Sequence, residues 1–143
     1  MKQKKLSNGV LIPTIGLGTW QITDKKQMHA LLESACEKGY RLFDTAAAYH
    51  NEMAIGRALA ELPIGREELF LSDKVWNTCR GQDAVRKACE SSLKKLKTDY
   101  LDLYLIHWPA SPRLYPDWAK INADTWRGME ALYREGVVKA IGV

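Results

Sequence analysis

At 143 residues, with 46% hydrophobic and 27% charged side chains, the chain suits one globular domain with its own core. No apolar run approaches the roughly 18–20 residues of a membrane span, and the basic opening MKQKKLSNG lacks the apolar segment of a signal peptide. A cytoplasmic address with no membrane contact is expected, and the modest net charge of +4 does not call for a nucleic-acid partner.

The first element is a hairpin over residues 4–12, where Asn8-Gly9 separates KKLS from VLIP as a two-residue turn. A short extended run, Ile15-Gly16-Leu17-Gly18, follows. Asp24 then caps a helix with Gln27 at the capping-box position. Met28, Leu31, Leu32, Ala35 and Cys36 recur at helical spacing, and Gly39 ends the helix. Residues 41–44 read as a strand, and residues 51–62 as a helix with Ile55, Leu59 and Leu62 inward, stopped by Pro63. A strand over 69–74 precedes a helix whose apolar stripe is Val85, Ala88, Cys89, Ser92, Leu93 and Leu96. The run Lys94-Lys95-Leu96-Lys97 in its last turn complements the helix dipole, faces solvent and lacks interleaved aromatics. Residues 101–107 form a strand, 109–123 an irregular stretch rich in proline and aromatics, 124–135 a helix closed by Gly136, and 137–143 a final strand. Of the three cysteines, Cys36 and Cys89 fall on apolar helix faces as small hydrophobes, and Cys79 lies in a loop. There is no C-x-x-C pair, and no metal site is expected.

Alternating strands and helices in units of about thirty residues imply βαβ units and a parallel sheet. The sheet could close as a doubly wound open sheet or as a barrel. GLGTWQ at 16–21 lacks the third glycine of a G-x-G-x-x-G dinucleotide fingerprint, which argues against the open sheet.

In such folds chemistry collects at the carboxyl ends of the strands. Those ends carry Thr19-Trp20, then Asp44 with Tyr49, then Lys74 with Trp76, then His107-Trp108. An acid, a phenol, an amine and an imidazole in one mouth suit proton transfer to an oxygen. A lysine cation beside a phenol stabilises the phenolate and makes the phenol a better acid. Asp44 can orient Lys74, His107 can donate to a substrate carbonyl, and Trp20, Trp76 and Trp108 can wall off water. Each residue alone has a structural reading: Asp44 and Lys74 as an ion pair, Tyr49 at a loop edge, His107 bonded to backbone, the tryptophans in core or rim. Their recurrence at successive strand ends carries the inference.

The stretch GYRLFDTAAAYHNEMAIG at 39–56 resembles the signature of the aldo-keto reductase superfamily: glycine, aromatic and arginine, an apolar pair and aspartate, then a spaced glutamate and a terminal glycine. GLGTW, the lysine of SDKVW, and LIHWP match in the same order. The resemblance implies an α/β fold, the N-terminal half of a (β/α)8 TIM barrel whose bottom is plugged by the opening hairpin, with no second domain. It implies that Tyr49 is the general acid and that Asp44, Lys74 and His107 are its partners. Trp20, Trp76, His107 and Trp108 would line the substrate pocket. Gly18, Thr19 and Asp44 would meet the nicotinamide end of NADPH, NADH being the other candidate. Glu52 belongs to the signature, and its position at a helix start suits it to answer the helix dipole.

The reaction implied is reduction of small aldehydes and ketones to alcohols. The alternatives within the resemblance are a non-catalytic regulatory member of the fold, or an inactive half barrel. Four strand–helix units and a fifth strand lack most of the family's adenosine and phosphate cradle. On that reading the 143 residues would need a C-terminal half or would self-associate through unpaired strand edges.

Overall fold

The computed structural model describes residues 2–143. The chain opens with β1 (Gln3–Lys5) and β2 (Leu11–Pro13), paired antiparallel with Lys4 opposite Ile12. The turn is longer than the two-residue form expected. Leu6 N–H donates to Val10 O at 2.8 Å and Gly9 N–H to Leu6 O at 3.0 Å, so Ser7, Asn8 and Gly9 form a three-residue loop. Gly9 takes φ +94°, the left-handed position such loops need. Asn8 serves the loop through its side chain, accepting from Val10 N–H at 3.2 Å and donating to Lys139 O at 2.9 Å.

The main sheet has five parallel strands: β3 (Gly16–Gly18), β4 (Leu42–Asp44), β5 (Phe70–Val75), β6 (Leu103–Ile106) and β7 (Ile141–Gly142). Their spatial order is their sequence order. An open doubly wound sheet reverses direction at a switch point; sequential order is the arrangement of a barrel wall. The expected strand over 137–143 narrows to β7 plus one bridge between Leu101 and Val138.

Helices α1 (Lys25–Glu37), α2 (Glu52–Glu61), α3 (Gln82–Leu96) and α4 (Trp118–Arg134) pack in succession, each on the next. Asp24 caps α1, accepting from Gln27 N–H at 2.8 Å. α4 begins six residues earlier than its sequence pattern suggests. Pro116 precedes the first turn, and Asn122 serves the preceding loop from within the helix. It accepts from Ala110 N–H at 2.7 Å and donates to Ala110 O at 2.9 Å.

The core lies between helices and sheet. Successive strand residues point to opposite faces, so Phe43, Leu71, Val75, Tyr104 and Ile106 turn toward the helices. There they meet Met28, Leu32, Ile55, Val85, Cys89 and Met129, all buried. Leu42, Asp44, Ser72 and Lys74 occupy the other face. The helices approach closely where glycine allows it: a Cβ on Gly56 would lie 2.6 Å from the Leu96 carbonyl carbon, and one on Gly128 2.9 Å from Gln82 Cα. Cys36 and Cys89 are buried and Cys79 is half-buried. Among the described residues, no helix is long and apolar enough to cross a membrane.

Candidate active site

β4 and β5 pair with Asp44 opposite Ser72, which places Lys74 two residues further along the same face. The Lys74 Nζ donates to Asp44 Oδ2 at 2.6 Å and to Thr45 O at 2.8 Å. Two acceptors fix the ammonium, one charged and one neutral. After β4 the chain makes a 3₁₀ turn, Ala47–Tyr49, in which Tyr49 N–H donates to Ala46 O at 2.9 Å. His50 follows with φ +56°. This tight turn brings the Tyr49 ring centroid to 5.2 Å from Lys74 Nζ, within cation–π range.

His107 follows β6, held by its N–H to Val75 O at 3.2 Å. Its ring stands edge-on to Tyr49 at 5.8 Å and to Trp76 at 5.1 Å. Burial, then the Lys74 charge, pushes the His107 pKa below its ordinary value of 6.5, so the ring is neutral at pH 7. Tyr49, Trp76, His107, Trp20 and Trp108 line one cavity of about 460 Å³, together with Ala47, Ala48 and His50. Trp20 and Trp108 are 66% and 65% exposed and form an open rim, whereas Trp76, at 37%, leans inward.

Gly18 ends β3, and the space where its side chain would stand is open to 4 Å. Thr19 is buried, with its hydroxyl donating to Asp44 O at 3.0 Å and its N–H donating to the same oxygen at 3.1 Å. Its side chain is thus committed to the backbone beside the ion pair.

Asn51, read from sequence only as a helix start, is the hub of the loops around the cavity. It is buried and accepts from the Thr45 hydroxyl at 2.8 Å. It also donates to Thr19 O at 2.7 Å and Ile22 O at 3.0 Å. Its neighbour Glu52 is buried in the first turn of α2, where a carboxylate does face the helix dipole. Glu52 Oε2 accepts from Lys95 Nζ at 2.8 Å, so Lys95 is an ion-pair partner rather than one more solvated cation of its run. The hub role of Asn51 has no sequence signal beyond its position inside the 39–56 stretch, whereas the place of Glu52 at a helix start already indicates the dipole.

Asn51→Ala leaves a hydroxyl and two carbonyls without their partner. At about 1–3 kcal/mol for each buried polar group stranded, a loss of roughly 3 kcal/mol is expected. The loop carrying Trp20 should also loosen, raising KM for any substrate of this cavity. Denaturant midpoints and steady-state kinetics of the variant check both; unchanged values for both would remove Asn51 from this role.

A family model described as the aldo/keto reductase family matches residues 14–143. The chain is 43% identical over 139 residues to a glyoxal reductase of Bacillus subtilis (strain 168), covering 97% of this chain and 48% of that protein. It is likewise 43% identical over 139 residues to methylglyoxal reductase DkgA of Escherichia coli (strain K12), covering 97% and 47%. Among solved structures, an aldo/keto reductase from Brucella melitensis superposes with a TM-score of 0.90 at 42% identity, over 99% of this chain and 52% of that one. A Bombyx mori aldo-keto reductase in complex with NADP gives 0.88 at 36% identity, over 99% and 50%. The chain thus spans about half the length of the relatives it matches, and its sheet and helices are those of the N-terminal half of their barrel.

Proposed function

The chain belongs to the aldo/keto reductase family, and from that premise we propose that the protein carrying it reduces small aldehydes and ketones, with Tyr49 as proton donor. The observation that carries this reading is the placement of Tyr49. Its ring stands beside an ammonium fixed by two acceptors and edge-on to a neutral imidazole, on the wall of an open cavity.

Tyr49 O–H gives its proton to the carbonyl oxygen of the substrate. Negative charge grows on the phenolic oxygen as the proton leaves, and the Lys74 cation opposes its cost. Asp44 and Thr45 O hold that cation in place. A neutral His107 donates an N–H to the same carbonyl oxygen and sets its direction. Trp20, Trp76 and Trp108 give the cavity apolar walls on which a short carbon skeleton can lie.

A bound reduced nicotinamide cofactor supplies the hydride. Of the residues present, Gly18, Thr19 and Asp44 would meet its nicotinamide end: the space beside Gly18 is open, and Thr19 is bonded to the Asp44 backbone. The adenosine end then falls to residues outside these 143. NADPH is the expected form, one solved neighbour being an NADP complex.

Relatives named as glyoxal and methylglyoxal reductases point to 2-oxoaldehydes as the substrate class. The full-length protein, given NADPH or NADH with methylglyoxal, should consume reduced nicotinamide in step with hydroxyketone formation. NADPH should be the better donor. No consumption with any small aldehyde would overturn the proposal.

A further inference from the structure

On the helix side of β5, away from the cavity, the protein buries a second pair of acids. Asp73 is fully buried, and neither of its carboxyl oxygens has a well-formed hydrogen bond; the Ser92 side chain and the Lys74 N–H come close enough to interact but do not complete one. Tyr104, directly opposite in the pairing of β5 with β6, is equally buried, and its hydroxyl is also unpartnered. Glu52 reaches toward the same layer from α2; Lys95 takes its Oε2, and its Oε1 has no partner. Four orphaned oxygens from three neighbouring residues is more than a native interior leaves unsatisfied without cause.

Charge explains it. Both acids ionised would place two negative charges against one facing cation, Lys95 on α3. Cys89 and Ser92, also on α3, bring no charge, and Tyr104 on β6 is held neutral by burial. Lys74, next along β5, points to the opposite face and already balances Asp44. An unpaired buried carboxylate is costly, and the cheapest relief is a proton.

We propose that Asp73 is kept as the neutral carboxylic acid in the folded protein, and that its ionisation loosens α3 from β5, the strand that carries Lys74. Burial first, then the Glu52 charge, raises the Asp73 pKa from 3.8 to about 7, against the opposing pull of the Ser92 side chain, the Lys74 N–H and the Lys74 charge.

The sign of the linkage follows. The folded pKa lies above the unfolded one, so the folded state binds the proton more tightly. The group's contribution is intact below about pH 4, erodes as pH rises, and is gone once pH passes about 7. Across that window it should shift the folding equilibrium on the order of a thousandfold.

Asp73→Asn keeps the shape and removes the ionisation. In the full-length protein, its folding equilibrium should match the parent near pH 4 and exceed it at pH 8, flattening the stability profile between. A profile that stays parallel to the parent's would overturn the proposal. Should the variant not fold, the parent decides alone. With carbon-13-labelled aspartate, infrared difference spectra should show a protonated-carboxyl carbonyl band at pH 6 that is lost at pH 9. No such titrating band would equally reject it.

Discussion

Tyr49→Phe in the full-length protein is expected to lower carbonyl reduction by roughly 10²–10⁴-fold, the range general acids supply, while leaving cofactor binding close to that of the parent. The substitution removes one hydroxyl and nothing else. The ring keeps its edge contact with His107 at 5.8 Å and its place 5.2 Å from Lys74 Nζ. Tyr49 is half-buried in a 3₁₀ turn outside the core, so the fold does not depend on the lost oxygen. The competing donor is His107. Burial and the Lys74 charge keep that ring neutral at pH 7, and a neutral imidazole can direct a hydrogen bond but is a poor source of a full proton. The two assignments therefore part at this variant. Loss of reduced-nicotinamide absorbance, followed beside cofactor titration by fluorescence quenching, reads both quantities. Turnover within a few fold of the parent would transfer the acid role away from Tyr49.

The strand ends were legible in the sequence because both faces of this sheet obey a period of two. Apolar runs finishing in Asp44, Lys74 and His107 announce where the chain leaves the sheet, and parallel pairing gathers those exits on one rim. What the runs conceal is the opposite face. In SDKV the strand-end position singles out Lys74, yet the neighbouring Asp73 is the more deeply buried ionisable side chain, placed there by the same alternation. Asn51 was hidden for another reason: its partners, Thr19, Ile22 and Thr45, are loop residues whose proximity is set only by tertiary folding. Lys95 looked like one of several lysines at a helix end. Nothing local distinguishes it, since its partner Glu52 lies forty-three positions earlier. The start of α4 is not legible in the sequence because prolines and aromatics usually mark irregular chain. Here Pro116 lies just ahead of the first turn, a position where proline costs the helix nothing.

Lys74→Met should slow carbonyl reduction by about 10²–10³-fold, the cost of removing one preorganised electrostatic contact from a developing oxyanion. The substitution keeps a long side chain but deletes the charge. In the parent, Nζ is fixed at 2.6 Å from Asp44 and 2.8 Å from Thr45 O, so no reorganisation is required when charge appears on the phenolic oxygen. Without it, that charge develops beside an Asp44 carboxylate that has lost its counter-ion, and repulsion replaces attraction. The outcome separates an electrostatic role from a structural one. If Lys74 serves only to hold β4 against β5, the variant should lose stability in proportion to its activity, and added small amines should do nothing. If it serves the phenolic oxygen, the folded variant should bind cofactor, turn over slowly, and recover part of its rate as methylammonium is raised to occupy the vacated position. Lys74→Arg tests geometry at constant charge. A planar guanidinium cannot keep the same two acceptors at the same reach from Tyr49, so it should fall between methionine and lysine. A methionine variant with full activity would break the link between this ion pair and the proton transfer.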